Sequence, residues 1–117
     1  LSTILIVDDD PSTRFVLRLI LEKEGYKIVE AGNGAAALDM IRPDPLPDIV
    51  MTDLMMPVMT GVELVRRLRS EPRTAKIRIV VVSGNPEAAQ GLEVDAIVTK
   101  PFNAVKLADR IRTIVAA

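Results

Sequence analysis

The sequence contains no cysteine and no histidine. Without cysteine there is neither a disulfide framework nor a thiolate metal site. Without histidine there is no imidazole base, no Ser-His triad and no phosphohistidine on this chain. Any bound metal must be held by oxygen, which favours hard ions such as magnesium, manganese or calcium. No apolar run approaches the roughly 20 residues of a membrane span, and no signal-peptide pattern opens the chain. An excess of charge is lacking as well: 15 Lys and Arg stand against 16 Asp and Glu, for a net charge of −1. No general pull toward nucleic acid or an anionic membrane follows from that balance. Arg66, Arg67 and Arg69 form a local basic cluster, for which a solvated helix face is expected. The default compartment is cytoplasmic.

What remains is a chain of 117 residues, 49% apolar and 26% charged. That composition suits one folded domain with one core. The chain begins at Leu1 rather than Met and stops directly after a helical pattern. We therefore expect a single domain over 1–117, cut from a longer protein.

Continuous β-branched and leucine runs at Thr3–Val7, Ile49–Thr52, Ile77–Val82 and Ala96–Thr99, with a shorter run at Lys27–Ala31, read as strands. Runs without alternation belong to strands covered on both faces, as in parallel sheets. Helical patterns fall between them. Asp10-Pro11 is a helix start, with Asp as N-cap and Pro at the first position. Phe15, Val16, Leu19 and Ile20 are expected to face the core and Gly25 to stop that helix. Asn33-Gly34 reads as a turn before a short helix, Ala35–Ile41, which Pro43, Pro45 and Pro47 end. A third helix is expected over Val62–Arg69 and a last one over Ala104–Val115, with Leu107, Ile111 and Ile114 inward. Strands alternating with helices give an α/β, doubly wound architecture. Only ten positions, 85 to 94, separate Gly84 from Asp95. A full crossover with its helix needs at least about 10–12 residues, so the fourth helix must be shortened or missing.

In open parallel sheets, ligands bind at the carboxyl ends of the strands. Here the first strand ends at Asp8 and Asp9, the third at Asp53, the fourth at Ser83 and the fifth at Lys100. Like charges at 4 Å repel by roughly 4 kcal/mol at an effective dielectric of 20. Two strands that both deliver carboxylate to one edge therefore call for a cation, a raised pKa or a task. Carboxylates can share a hard divalent ion or act as nucleophiles. A hydroxyl and an ammonium can hold phosphoryl oxygens. Asp10 needs no role beyond capping, and the Met55, Met56 and Met59 cluster is expected to serve packing and loop adaptability.

The segments Ile6-Val7-Asp8-Asp9, Thr52-Asp53-Leu54-Met55-Met56-Pro57 with Gly61, Val82-Ser83-Gly84 and Thr99-Lys100-Pro101-Phe102 together resemble the receiver domain of bacterial response regulators. The resemblance spans nearly the whole chain, in order. It implies a flavodoxin-like (βα)5 fold with a parallel sheet in the order 2-1-3-4-5. It implies a phosphoacceptor switch that takes a phosphoryl group from the phosphohistidine of a sensor histidine kinase, or from a phosphotransfer protein, onto Asp53. It places Mg2+, with Mn2+ as a second candidate, on Asp9, Asp53 and the backbone carbonyl of Met55, and on Asp8 mainly through water. Ser83 and Lys100 would bind the phosphoryl oxygens, with Lys100-Pro101 cis. Pro57, Gly61, Gly84 and Pro101 would shape the backbone. An unidentified output domain or target protein would read the switch. The domain itself would touch neither nucleic acid nor membrane, and would catalyse only its own phosphorylation and dephosphorylation.

Two departures stand out. Ile97 occupies the switch position where the family usually has an aromatic or histidine residue. The short fourth connector argues against the usual dimer on that face. Met55 and Asn85 flank the site, and the apolar Met55 cannot guide an attacking water, so slow self-dephosphorylation is expected. Two other readings stand beside this one. Asp8-Asp9-Asp10 with Ser12 or Thr13 loosely mimics the Asp-x-Asp motif of haloacid-dehalogenase-like phosphatases, which would make Asp8 the nucleophile. A docking module without chemistry is the third, against which the intact set of polar strand ends speaks.

Overall fold

A computed structural model describes residues 2–42 and 44–116. Five strands, β1 (Thr3–Val7), β2 (Lys27–Ala31), β3 (Ile49–Thr52), β4 (Arg78–Ser83) and β5 (Ala96–Thr99), alternate with four helices, α1 (Pro11–Lys23), α2 (Gly34–Ile41), α3 (Gly61–Ser70) and α4 (Ala104–Ala116). All strand pairs are parallel and the order is β2-β1-β3-β4-β5. This is the doubly wound, flavodoxin-like architecture expected from the sequence. Between β4 and β5 a single 3-10 turn, Pro86–Ala89, replaces a helix. The short connector permits nothing longer.

Each local choice has a visible cause. The Asp10 carboxylate caps α1 by accepting from the Ser12 amide, and Pro11 occupies the first position. Asn33 is not part of a turn. Its side chain accepts from the Ala36 amide and caps α2, and Gly34 is the first helical residue. A short polar side chain before a run of alanines serves as a cap as readily as a turn. Thr60 caps α3 through the Glu63 amide. Gly25, at φ +94°, follows α1 as expected. Of the three prolines placed after α2, Pro43 lies outside the described residues.

The sheet separates two apolar layers. Leu5, Val7, Val50 and Ile79 pack on α2 and α3 through Ala37, Ile41, Leu64, Val65 and Leu68. Ile4, Ile6, Ile49, Met51, Val80 and Val82 pack on α1 and α4 through Leu17, Leu21, Leu107 and Ile111. Tyr26, the one tyrosine, is half-buried against this second layer, immediately before β2. The expected inward face of α1 requires correction. Leu17 and Leu21 are buried and Ile20 packs beside them, whereas Phe15 is 59%, Val16 45% and Leu19 53% exposed. The helix carries two apolar stripes, and periodicity alone does not say which one meets a sheet.

Arg69 is also not on a solvated face. Its guanidinium donates to the carbonyls of Ala75, Ile77 and Glu93 and to the Asp95 carboxylate. Asp95 in turn accepts from the Ile79 amide at 2.7 Å. One side chain on α3 thereby holds the start of β4 to the end of the connector, where the sequence supplies no helix. Arg66 and Arg67 are exposed, as expected.

Candidate functional site: an acidic pocket at the strand ends

The order β2-β1-β3-β4-β5 brings the carboxyl ends of β1 and β3 side by side, with Val7 level with Thr52. Asp8 and Asp53 follow those residues directly. Asp8, Asp9 and Asp53 each offer a carboxylate oxygen, and the three oxygens lie within 4.8 Å of one another. Lys100 enters from the end of β5. Its Nζ donates to Asp8 Oδ2 at 3.0 Å and to Asp53 Oδ2 at 2.9 Å. The Lys100–Pro101 peptide is cis, as the resemblance implied.

The three acids differ in environment. Asp8 is buried. Burial pushes its carboxyl above the usual carboxylate range, while the Asp10 amide and the Lys100 ammonium pull the other way. Asp9 is exposed and Asp53 half-buried. Asp53 Oδ1 accepts from the Leu54 amide at 2.7 Å and, at 3.4 Å, from the Met55 amide. For Lys100, burial disfavours the ammonium, yet its hydrogen bonds to Asp53 and Asp8 outweigh this and hold its pKa above the ordinary lysine value. One cation thus offsets part of a three-carboxylate cluster. A hard divalent ion fits the remainder, because the donors are all oxygen, close together, and few. Asp8, Asp9 and Asp53 are the side chains that would hold it.

The supporting backbone is specific. A Cβ on Gly61 would stand 1.9 Å from the Asp53 carbonyl oxygen, so only glycine fits there. The Gly61 amide donates to the Leu54 carbonyl and the Thr52 hydroxyl to the Asp53 carbonyl. Pro57 accepts from the Met59 amide around Val58, which is 82% exposed at φ +69°. Met56 and Met59 pack into the core, but Met55 is 67% exposed and does not pack. Ser83 is buried at the end of β4, and its Oγ accepts from the Asn85 amide at 3.0 Å. Ile97 is half-buried against Leu54, Val81 and Ala89. At Gly84 a Cβ would meet nothing within 4 Å, so local packing does not demand glycine. Sequence reasoning passed over Arg14, whose Nη1 donates to the Asp8 carbonyl at 2.6 Å. No residue pattern signals that contact, because the acceptor is backbone.

A doubly wound α/β domain with clustered carboxylates and a lysine at the strand ends defines a class: an acidic phosphoryl-transfer pocket. The comparisons then specify the family. The response regulator receiver domain family matches residues 4–112, and the chain belongs to it. It is 38% identical over 117 residues to the phosphate regulon regulatory protein PhoB of Pseudomonas aeruginosa, covering 96% of this chain and 51% of that one. It is 36% identical over 115 residues to the response regulator GtcR of Aneurinibacillus migulanus, covering 94% and 46%. The chain thus spans about half the length of these relatives. Among solved structures, the receiver domain of a Syntrophus aciditrophicus histidine kinase superposes with a TM-score of 0.92 at 28% identity, over 99% of this chain and 91% of that one. The Thermotoga maritima response regulator TrrA, solved in complex with Mg2+-BeF, superposes with a TM-score of 0.87 at 29% identity, over 97% and 99%. Receiver domains are the phosphoacceptor switches of two-component signalling, and this chain is one of them. Among the described residues, no helix is long and apolar enough to cross a membrane.

Proposed function

We propose that Asp53 is the phosphoacceptor. An Asp53 carboxylate oxygen attacks the phosphorus of a phosphohistidine. The N–P bond breaks, the imidazole leaves with the electron pair and takes a proton from water, and an acyl phosphate forms on Asp53. The carrying observation is the convergence of the Asp8, Asp9 and Asp53 oxygens within 4.8 Å, with Lys100 Nζ 2.9 Å from Asp53. Mg2+ held by these acids, with the Met55 carbonyl as a further ligand, would supply charge neutralisation when bound. Lys100 already contacts the nucleophile and is placed to pair with an incoming phosphoryl oxygen. Ser83, whose Oγ accepts from the Asn85 amide and keeps its proton to donate, would turn inward to hydrogen-bond that oxygen.

The partner that donates the phosphoryl group is a sensor histidine kinase or phosphotransfer protein. A groove of about 370 Å3 beside Lys100, lined by Val16, Pro101 and Phe102 among others, and the exposed Phe15, Leu19 and Val105 suit a protein surface. The domain catalyses only its own phosphorylation and dephosphorylation, in the cytoplasm, and an output domain or separate target reads the result. The phosphatase reading is disfavoured by Asp8 itself: it is buried, with one oxygen bonded to the Asp10 amide and the other to Lys100. The test is intact mass after acetyl phosphate and Mg2+. Wild type should gain one phosphoryl group and Asp53→Ala none. Equal modification of both would remove Asp53 from the role.

A further inference from the structure

Arg14 lies on the first turns of α1, outside the pocket, and belongs to no part of the phosphoryl-transfer chemistry described above. Its guanidinium nevertheless reaches back to the strand end. Nη1 donates to the Asp8 carbonyl at 2.6 Å, and Nε to Glu30 Oε1 at 3.0 Å. The group rests beside Gly32, where a Cβ would come to 3.8 Å of Nη1. Glu30, on β2, is shared: its other oxygen accepts from Arg18 Nη1 at 2.6 Å. Hydrogen bonds from Arg18, and secondarily Arg14, overcome the effect of burial and hold the Glu30 carboxyl below its ordinary value, so it is an anion.

The acceptor of that 2.6 Å bond matters because of where it sits. The Asp8 amide is tied to the Ala31 carbonyl at 3.2 Å, which fixes one side of the residue to the sheet. The Asp8 carbonyl belongs to the peptide that leads to Asp9, beyond the last paired position of β1. A peptide is a rigid plane. Holding its oxygen therefore fixes the Asp9 nitrogen and Cα. The Asp10 amide, which donates to Asp8 Oδ1 at 2.9 Å, restrains rotation about the Asp9 N–Cα bond. The two holds together set the direction in which the Asp9 side chain leaves the chain. Asp9 itself is exposed, so packing does not orient it. Its side chain has no hydrogen-bond or ion-pair partner among the described residues.

We infer that Arg14, braced by Glu30, is a positioning residue for the divalent-ion site, aiming Asp9 through the Asp8–Asp9 peptide. This role rests on the reading that Asp8, Asp9 and Asp53 hold the ion. Its expected effect is opposite in sign to simple electrostatics. Arg14 is a cation near an acidic cluster, so on charge alone its removal would tighten binding of a divalent cation. As a positioning residue, its removal weakens binding, because outer partners of metal ligands are typically worth about 10- to 100-fold in affinity.

The experiment is titration of the unphosphorylated protein with Mn2+, read by electron paramagnetic resonance of the free ion. Arg14→Met keeps the aliphatic stem and removes both donors. It should bind Mn2+ about tenfold more weakly than wild type. Arg14→Lys keeps the charge but loses the two-point fork, and should bind about threefold more weakly. Arg18→Ala removes the other Glu30 ion pair without touching Asp8, and should stay within about twofold of wild type. Arg14 variants that bind as tightly as wild type, or more tightly, would overturn the inference. So would an equal loss in Arg18→Ala, which would assign the effect to the integrity of α1 against β2. Should Arg14→Met fail to fold, Arg14→Lys alone decides between positioning and charge. Wild type that binds no Mn2+ would overturn the metal reading itself, and this inference with it.

Discussion

Asp9→Asn should make the metal-free protein more stable and the Mg2+-loaded protein less so. The side chain is exposed and has no hydrogen-bond or ion-pair partner among the described residues, so its removal forfeits no contact. What it loses is repulsion. At the 4.8 Å that bounds the cluster, two carboxylates repel by about 3.5 kcal/mol at an effective dielectric of 20 and about 0.9 kcal/mol in water. Asp9 faces solvent, so the lower figure governs, and Lys100 offsets part of the field of its two neighbours. A net gain of about 1 kcal/mol is expected, or roughly 3–5 °C in Tm for a chain of this size. The assay is urea unfolding followed by circular dichroism, in EDTA and again in 10-fold steps of Mg2+. In EDTA, Asp9→Asn should unfold at higher urea with an unchanged slope. Mg2+ should then raise wild type by its binding free energy and the variant by much less, so the two curves approach or cross. A variant no more stable than wild type in EDTA, or one stabilised by Mg2+ as much as wild type, would refute the reasoning.

Gly61→Ala should cost about 1–3 kcal/mol in chemical denaturation and slow acyl phosphate labelling, because the new methyl displaces the Asp53 carbonyl it would otherwise meet at 1.9 Å. Val58→Gly should stabilise by about 0.5–1 kcal/mol in the same assay. It relieves a β-branched residue held at φ +69°, worth about 1–2 kcal/mol, less the greater chain entropy of glycine. Arg69→Met should destabilise by about 2–3 kcal/mol, since it leaves three carbonyls and Asp95 without their shared donor. The pH profile declines in two windows, both with the same sign. Asp8, with a raised folded pKa, contributes stability below its unfolded value of about 3.9 and loses it as pH rises through the folded value, so metal-free wild type should weaken toward neutrality relative to Asp8→Asn. Lys100, also raised, contributes below its unfolded value of about 10.4 and loses that above its folded value, so a further decline absent from Lys100→Met should appear in strong alkali.

The strands were legible because buried parallel strands are written as unbroken aliphatic runs. Thr3–Val7, Lys27–Ala31, Ile49–Thr52 and Ala96–Thr99 all appear at the expected boundaries, and β4 is displaced by a single residue. The carboxylates and Lys100 were legible for a related reason: a polar residue closing such a run is placed at the sheet edge by the run itself. What escaped was whatever the tertiary fold decides. The choice between the Leu17–Leu21 stripe and the Phe15–Leu19 stripe depends on how α1 docks, not on its own pattern. Arg69 and Arg14 were unreadable because their acceptors are mostly carbonyls, which every residue has and no sequence distinguishes. Ten connector positions did suffice to foretell the missing helix, since chain length limits reach whatever the side chains are.

The placement of Tyr26 gives the molecule a built-in reporter. It is the sole phenol, there is no indole, and it sits before the first residue of β2 rather than after the last. Five strand residues at about 3.3 Å each put it roughly 16 Å from the acidic end of the sheet. Its emission should therefore follow the melting of the α1–α4 layer without responding directly to whatever occupies the opposite rim, so any change that an ion makes in the melting curve reads its effect on stability and not a local quench.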